Sequence, residues 1–382
     1  MTARVLHVAA LPFPSSQGTQ AALLAIVSAA ARDAASRAER VALLTYESGD
    51  GRRVLPDSVE HRRTHAPIAN RSLRSGPSLA KIAEDVALVR ALREAREPDI
   101  VAHHVEAGLA CVLAGRRFTW VAHTALGPEL PLYAPSRTSI APLLSASGEA
   151  LDRFVARRAQ RVLAISPFLA RRLEAVTGTA ATVLPTPWSV APPVSDAERA
   201  ASRTALGLAS DHEVILYAGN LDHYQGLDAA IAALGRLAHR RGRLRWLVAS
   251  QSAPHALEAL ARRSGLGPRI VLAPLATDED RRRAHAAADV CVVPRRLEAG
   301  VSIKILEALA HGLPTVAVRA ATGGFPFEDA CRVVEADPSA LAQALAEVLD
   351  EPFVRLALGA AGPAHLAAHH SDAACVSVLA GR

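Results

Sequence analysis

Short apolar runs alternate with longer amphipathic stretches along the whole sequence. In the stretches between the runs, apolar residues recur at helical spacing, as in Leu79–Ala95 and Asp228–Ala238. Uninterrupted apolar strands that alternate with helices are typical of parallel sheets covered by helices on both faces. The sequence therefore predicts an α/β fold. The predicted strands are Val5–Ala9, Val41–Thr45, Ile100–His103, Thr119–Ala122, Val162–Ile165, Thr182–Leu184, Val214–Ala218, Leu244–Ala249, Ile270–Ala273, Val290–Val293, Thr315–Val318 and Val333–Val334.

A proline-rich segment, PTPWSVAPPVSD at residues 185–196, interrupts the alternation. Closely spaced prolines continue neither a helix nor a central strand, so this segment is expected to be a linker, with a domain boundary near residues 186–200. The prediction is an N-terminal Rossmann-like domain at residues 1–187 and a second one at residues 200–365. Ligands of open α/β sheets bind beyond the carboxyl ends of the strands, so we expect the two domains to face each other across a cleft.

The composition excludes several classes of protein. The 382 residues are 50% apolar and 21% charged, which is typical of a globular protein of two or three domains. There is no run of eighteen apolar residues and no signal-peptide pattern, so we expect a cytoplasmic protein with reduced cysteines. The net charge of +6 is dispersed and aromatic residues make up only 4%, which argues against nucleic acid as a partner.

The segment Val290–Val318 carries the richest pattern. A buried strand ends at Pro294, and a helix over Ile303–His311 is predicted to start after Ser302 as its N-cap. The backbone amides of Gly300, Val301 and Ser302 would then surround the N-terminus of a helix. Such a helix end is a ready binding site for an anion such as phosphate.

Lys304 and Glu307 lie three residues apart in this predicted helix and share one face. The ammonium group of Lys304 suits a phosphate, and the carboxylate of Glu307 can accept hydrogen bonds from ribose hydroxyls. An ordinary pair of surface charges would have the same spacing, so spacing alone leaves both interpretations open.

The residues after Glu307 extend the pattern, because Glu307-Ala308 is followed by Gly312-Leu313-Pro314. This segment resembles the signature of the family-4 retaining glycosyltransferases of the GT-B fold. The resemblance implies that Glu307 binds the donor ribose and that the preceding loop binds the sugar and the diphosphate. It also implies a UDP- or GDP-sugar donor, front-face transfer to an acceptor hydroxyl, and a C-terminal helix at residues 366–382 that packs back on the N-terminal domain.

One position departs from that signature. The family carries a second glutamate with seven intervening residues, whereas eight residues separate Glu298 from Glu307. The pattern Gly-x-x-x-Lys-x-x-Glu from Gly300 to Glu307 resembles a variant found in a subgroup. Glu298 is retained as a candidate catalytic residue near the transferred sugar.

The segment Val214–Ile231 resembles the family's strand–glycine–loop–helix element. Asn220 and Gln225 stand where the family usually carries an arginine and a lysine that hold the diphosphate. Both amides donate hydrogen bonds but carry no charge. Lys304 and Arg295 are therefore the candidate cations for the donor.

The N-terminal half adds fewer signals. Gly18, in the segment Phe13–Gln20, resembles a family glycine that approaches the donor phosphate. His123 follows a predicted strand, where family members often carry a histidine near the donor sugar and the acceptor, so it is a candidate catalytic residue. A lone histidine after a strand is otherwise more often structural. His104 and Glu106 follow the preceding strand and are candidates for the acceptor side.

No Asp-x-Asp metal motif directly follows a predicted strand, and the sequence lacks an HExxH motif, a GxSxG motif and a phosphate-binding GK[ST] loop. We therefore expect a transferase that needs no metal or other cofactor. Two alternatives stay open: a non-catalytic homologue that binds nucleotide sugars, and another GT-B enzyme such as a sugar-nucleotide epimerase or an inverting transferase. The acceptor, which could be a glycan, a lipid-linked sugar or a small molecule, is not identified. Peripheral contact with the inner face of a membrane is also left open.

Overall fold

A computed structural model describes residues 4–14, 18–49, 55–67, 79–133, 140–298 and 300–381. The chain forms two compact units. Unit 1 comprises Met1–Pro187 and Asp372–Arg382, and unit 2 comprises Trp188–Ser371.

Unit 1 contains a seven-stranded parallel sheet in the order β3-β2-β1-β4-β5-β6-β7. Its central strands are buried almost throughout, as their uninterrupted apolar sequences predict. The strands are β1 (Val5–Ala9), β2 (Val41–Thr45), β3 (Val59–Arg63), β4 (Asp99–His103), β5 (Thr119–Ala122), β6 (Arg161–Ala164) and β7 (Ala181–Val183).

Strand β3 is absent from the strands predicted by sequence. Its residues, Val59–Arg63, are mostly polar, and only Val59 is buried. The strand lies at the edge of the sheet and pairs only with β2 among the described residues. An edge strand needs no continuous apolar run, and charged side chains there discourage pairing with other chains.

Helices cover this sheet and bury its apolar side chains. The largest fully buried side chains include Trp120, Phe118 and Tyr46. Helix α6 illustrates a sequence-encoded start, because the Ser166 hydroxyl accepts a hydrogen bond from the Leu169 amide at 3.2 Å. The helices are α1 (Gly18–Ser36), α2 (Leu79–Glu94), α3 (His104–Leu113), α4 (Leu126–Glu129), α5 (Ala141–Ala156) and α6 (Pro167–Thr177).

Unit 2 contains a six-stranded parallel sheet in the order β10-β9-β8-β11-β12-β13. The strands are β8 (Glu213–Ala218), β9 (Leu244–Ala249), β10 (Ile270–Ala273), β11 (Val290–Val293), β12 (Thr315–Val318) and β13 (Arg332–Val334). The helices are α7 (Asp196–Ala205), α8 (Leu227–Ala238), α9 (His255–Arg263), α10 (Asp278–Ala287), α11 (Ile303–Ala310), α12 (Pro338–Asp350) and α13 (Pro352–His369).

The two sheets share one strand order. Numbered within each unit, the first six strands run 3-2-1-4-5-6, which is the order of a Rossmann fold. The predicted α/β class with two Rossmann-like domains is confirmed. In each unit the carboxyl ends of the first and fourth strands lie side by side, and this is where such folds bind ligands.

The C-terminal segment begins later than the sequence suggests. Residue 366 lies inside α13, and the chain returns to unit 1 only at Asp372, where α14 (Asp372–Leu379) starts. Arg32 of α1 forms a salt bridge with Asp372 at 2.6 Å, and Arg161 donates a hydrogen bond to the Leu379 carbonyl at 3.0 Å. Together with the fully buried Cys375, these contacts attach the last helix to unit 1.

Candidate functional site

Lys304 lies at the carboxyl end of the unit 2 sheet, in the first turn of α11. Its ammonium nitrogen donates a hydrogen bond to the Oε1 atom of Gln225 at 3.0 Å. The same nitrogen lies 5.6 Å from the ring centroid of Tyr217, which is within the range of a cation–π contact. The side chain is therefore held in one direction, toward the loop that follows β8.

Gly219, the first residue of that loop, makes room for Lys304. A Cβ atom at position 219 would lie 2.1 Å from the Cε atom of Lys304, and the backbone φ angle of +146° is one that L-residues rarely adopt. Only glycine fits both conditions. The position of the Lys304 side chain is therefore fixed both by its hydrogen bond to Gln225 and by the absence of a side chain at Gly219.

Asn220 and Gln225 form one hydrogen-bond chain with Lys304. Gln225, which is buried, donates from Nε2 to the Oδ1 atom of Asn220 at 2.6 Å. Asn220 in turn donates to Asp222 at 2.6 Å and to the Tyr224 hydroxyl at 3.1 Å. Asn220 and Gln225 therefore orient the lysine within the described structure.

Gly226 brings this loop against the end of β11. Its φ angle is +70°, and a Cβ atom there would lie 2.1 Å from the carbonyl oxygen of Pro294. The Arg296 amide donates to the Tyr224 carbonyl at 3.2 Å, which fastens the two loops to each other. The loops after β8 and β11 consequently form one surface.

The electrostatics of this surface favour an anion. Burial and the nearby Arg295 lower the pKa of Lys304 to about 8, which still leaves the lysine mainly protonated at pH 7. Burial also lowers the pKa of Arg295. Its Nη1 donates to the Gly300 carbonyl at 3.3 Å, while its buried Nε has no hydrogen-bond partner among the described residues. Two neighbouring cations and an unpaired buried donor suit a negatively charged ligand.

The N-terminus of α11 differs from the expected anion site. The Ser302 amide donates to the carbonyl of Ala321 at 2.9 Å, so it is not free to bind a ligand, and the Ser302 side chain makes no capping hydrogen bond. Gly300 and Val301 are buried in the same loop. The expectation was wrong for Ser302 because the turn after β12 packs against this loop, a contact between segments distant in sequence.

Glu307 lies three residues after Lys304 in α11 and forms a salt bridge with a residue of another helix. One oxygen of Glu307 accepts a hydrogen bond from Arg281 of α10 at 2.8 Å, and both side chains are largely buried. Glu298 is exposed in the preceding loop. The structure therefore fixes the Glu307 carboxylate and gives Glu298 a solvent-facing position.

A pocket of about 260 Å³ opens within unit 2, next to the loop after β8. It lies at the carboxyl ends of β9 and β10, and Leu221 of the loop after β8 forms one wall. The lining combines apolar side chains with two hydroxyl groups, from Leu221, Val248, Ser250, Ser252, Pro254, Leu272, Ala273 and Pro274. Its size is below that of a drug-sized site and suits a single heterocycle.

The candidates of unit 1 are brought together at the carboxyl ends of β4 and β5. The rings of His104 and His123 stack with centroids 4.4 Å apart. Glu106, two residues further along α3, accepts a hydrogen bond from Lys81 of α2 at 3.1 Å. Burial lowers the pKa of both His104 and His123, so both rings are neutral at pH 7.

Gly18 is the first residue of α1, and open space surrounds the position that a side chain would occupy there. The geometry therefore gives no local reason for a glycine. Residues 15–17 of the same predicted loop lie outside the described residues.

Three residues of these clusters were missed by sequence reasoning. Tyr217 and His7 lie inside apolar strands and are indistinguishable there from core residues, and Arg281 is one of three consecutive arginines in a helix. A histidine inside the apolar strand β1 is a weak signal of a buried polar cluster, since a buried imidazole needs hydrogen-bond partners. Nothing in the sequence distinguishes Arg281 from its neighbours.

Comparison with known families gives two matches. The model for Glycosyltransferase Family 4 matches residues 26–191, and the model for Glycosyl transferases group 1 matches residues 212–351. The first lies within unit 1 apart from its last residues, and the second lies within unit 2. The chain thus has the domain content of a glycosyltransferase of the GT-B type.

Two curated relatives that carry the same name match part of this chain. A D-inositol 3-phosphate glycosyltransferase of Segniliparus rotundus is 28% identical over 193 residues, which is 48% of this chain and 42% of the relative. The enzyme of the same name from Streptomyces scabiei is 30% identical over 182 residues, which is 44% of this chain and 40% of the relative. The matched region spans about two fifths of these relatives' length.

Solved structures support the fold over nearly the whole chain. A sucrose-phosphate synthase from Thermosynechococcus elongatus superimposes with a TM-score of 0.79 at 19% identity, covering 98% of this chain and 97% of that one. HepE of Anabaena, in a complex with UDP and glucose, gives a TM-score of 0.74 at 17% identity, with 100% and 99% coverage. These similarities establish the GT-B fold.

The described ranges contain neither a helix that could span a membrane nor a cluster of side chains that could hold a metal ion. None of the helices there is long and apolar enough to cross a bilayer. In the same residues, no group of three or more His, Cys, Asp or Glu side chains is arranged to hold a metal ion. The four cysteines are buried and unpaired, as expected.

Proposed function

We propose that the chain is a retaining glycosyltransferase that moves a sugar from a nucleoside diphosphate sugar to an acceptor hydroxyl. The observation that carries the proposal is the pairing of Lys304 and Arg295, two neighbouring cations at the carboxyl end of the unit 2 sheet. A diphosphate is the part of the donor that such a pair would hold. HepE, which binds UDP-glucose in its solved complex, has the same fold and supports this donor class.

The rest of the nucleotide fits around this pair. The pocket at the ends of β9 and β10 is proposed to take the base, because its walls are apolar and its serine hydroxyls can hydrogen-bond. Glu307, fixed by Arg281, is proposed to accept hydrogen bonds from the ribose. Asn220 and Gln225 act through Lys304, which they orient. A uridine or guanosine donor is compatible with these groups.

The residues of the chain contribute chiefly by stabilising charge. As the bond between the sugar and the donor phosphate breaks, negative charge grows on the leaving diphosphate. Lys304 and Arg295 lie where they can compensate that charge, in a partly desolvated setting that strengthens the interaction. On the acceptor side, His104, His123 and Glu106 of unit 1 are proposed to position the hydroxyl. We propose that no metal takes part and that the protein works in the cytoplasm.

The test is a thermal-shift panel of UDP, GDP, ADP and their glucose or mannose conjugates. A ligand at 100 times its Kd stabilises the folded protein by about 2.7 kcal/mol, which is readily measured. We expect one nucleotide to raise the melting temperature and its sugar conjugate to be consumed when acceptors are added. Equal activity with and without a chelator is expected. No shift with any nucleotide would contradict the proposal.

A non-catalytic nucleotide-sugar binder is the second candidate. It is favoured by the neutral Asn220 and Gln225, which leave fewer cations against the diphosphate than the family usually has. Nucleotide binding without sugar transfer, over a panel of acceptors that includes D-inositol 3-phosphate, would identify this alternative.

A further inference from the structure

Three imidazole rings form a continuous row inside unit 1. The Nδ1 atom of His7 lies 2.9 Å from Nε2 of His103, and Nδ1 of His103 lies 3.0 Å from Nε2 of His123. The rings come from β1, from the end of β4 and from the residue after β5, which are neighbours in the sheet. None of the three is more than 2% exposed.

All three rings are neutral at pH 7. Burial lowers the pKa of His7 to about 4 and the pKa values of His103 and His123 well below the ordinary value. A neutral imidazole has one N–H donor and one lone pair. Both hydrogen bonds can form only if every ring carries its hydrogen on Nδ1 or every ring carries it on Nε2. A change of tautomer at His7 must therefore be transmitted to His123.

At the His123 end of the row, two buried ring nitrogen atoms have no hydrogen-bond partner among the described residues. Nδ1 of His123 and Nε2 of the stacked His104 are buried without a hydrogen bond to any described residue. His104 has a φ angle of +68°, a left-handed conformation that costs a non-glycine residue of order 1–3 kcal/mol. Such strain is commonly kept where it aims a functional side chain. Each buried polar atom without a protein partner needs a water, an ion or a ligand to complete its hydrogen bonding.

We propose that His7 and His103 are positioning residues that set whether Nδ1 of His123 donates or accepts, and that this nitrogen and Nε2 of His104 bind a hydroxyl of an uncharged sugar or cyclitol ring. The assignment of that ring to a transfer reaction rests on the function proposed above.

The chemistry of the site favours an uncharged ligand. Neutral imidazoles offer no positive charge to a phosphate, and the nearby Lys81 already donates to Glu106. A hydroxyl group both donates and accepts, so it can match either tautomer of the row. An anionic oxygen only accepts and would fit one tautomer alone.

The first experiment measures tautomers in the full-length protein labelled with ¹⁵N-histidine. Long-range ¹H–¹⁵N correlation spectra at pH 7.5, without ligand, report which nitrogen of each ring carries the hydrogen. We expect His7, His103 and His123 to share one tautomer. Different tautomers within the row would overturn the proposal, and this measurement needs no variant.

The second experiment removes the far end of the row with His7→Phe. Because His103 then loses its partner at Nε2, we expect the tautomer populations of His123 to change, although the substitution lies two rings away. The matched control is His61→Phe, which removes a hydrogen-bonded histidine of the same unit that contacts Thr45 and lies outside the row. An unchanged His123 spectrum in a folded His7→Phe variant would refute the relay.

The ligand class is tested by titrating the labelled protein with myo-inositol, D-glucose and D-inositol 3-phosphate. At least one uncharged ring is expected to shift the His123 and His104 signals, and His7→Phe should weaken that binding about fivefold to tenfold, as for the loss of one hydrogen bond. Signals that move only with the phosphorylated ring, or with none of the three, would reject the assigned ligand. The two proposals can fail separately. If the three rings share one tautomer but no nucleotide raises the melting temperature, the proposed transferase activity is rejected and the relay stands.

Discussion

The first six strands of the two sheets have the same order, but the side chains at the carboxyl ends of the strands differ in charge between the two units. Unit 2 places two cations there, Lys304 and Arg295, and the amides around Lys304 hold it in position. Unit 1 places neutral imidazoles there, and its lysine, Lys81, is already paired with Glu106. The fold determines where a ligand binds, and the side chains at the strand ends determine which charge it carries.

The same physical effect produces both results. Burial disfavours the charged form of a base and lowers its pKa in either unit. A histidine starts near 6.5, so burial leaves it neutral, as for His7 with a pKa of about 4. A lysine starts near 10.5, and a pKa lowered to about 8 leaves Lys304 charged at pH 7. Residue type therefore decides whether a buried base can bind an anion.

The largest expected effect comes from Lys304→Ala, which removes the charge that distinguishes unit 2. A unit charge pair at 4 Å is worth about 4 kcal/mol at an effective dielectric of 20. Desolvation of the lysine offsets part of this, so we expect a loss of about 2–3 kcal/mol. The measured value of kcat/KM with the donor should fall by about 30- to 150-fold.

The control for this variant is Arg296→Ala. Arg296 lies in the loop after β11 and pairs with the exposed Asp228 at 3.0 Å, an interaction that contributes little at a surface. A kcat/KM near wild type for Lys304→Ala would show that Lys304 does not serve catalysis. Arg295 would then be the remaining candidate for the cation that holds the diphosphate.

A second variant, Gly219→Ala, displaces Lys304 without deleting it. The added methyl group would lie 2.1 Å from the lysine Cε. We expect UDP to bind about 20-fold more weakly by calorimetry, since a displaced cation loses most of its interaction with the diphosphate. The control is Gly207→Ala, at another positive φ angle of +65° where a Cβ atom meets nothing within 4 Å. Equal UDP affinity in the two variants would contradict the contact.

Much of the fold could be predicted from the sequence because burial imposes simple patterns. The apolar runs located twelve of the strands to within a residue or two, and unit 2 begins at Trp188, inside the proline-rich segment at residues 185–196. The edge strand Val59–Arg63 was missed because only Val59 of its five residues is buried. A pattern that depends on burial is absent where burial is absent.

The site was predictable only where one segment carries its own signal. Lys304, Glu307, Asn220 and Gln225 fall in short motifs, and the structure joins three of them in one hydrogen-bond chain. The partners Arg281 and Tyr217 come from other elements, and the imidazole row combines residues 96 and 20 positions apart. Such contacts depend on strand order, which no local pattern encodes.

The pH dependence of binding sharpens the comparison between the units. Free Lys304 has a pKa of about 8, so it is protonated below that pH and loses its charge as the pH rises through it. UDP affinity should therefore be full at pH 7 and fall about tenfold by pH 9. Ligand binding to the imidazoles of unit 1 should be unchanged from pH 7 to 9, because burial lowers the pKa values of His103, His104 and His123 below their ordinary value and keeps the rings neutral. A UDP affinity that is flat to pH 9 would contradict the role of Lys304.

The smallest expected effect is that of Glu307→Gln, which keeps the shape of the side chain and removes its charge. The carboxylate accepts a hydrogen bond from Arg281 at 2.8 Å and is proposed to accept others from the ribose. A neutral amide accepts more weakly, so we expect about fivefold weaker UDP binding, equivalent to roughly 1 kcal/mol, with little change in kcat. Glu279→Gln, which alters an exposed carboxylate on α10, is the control. If UDP binds to Glu307→Gln as tightly as to the control, Glu307 supports Arg281 alone and the ribose is held by another group.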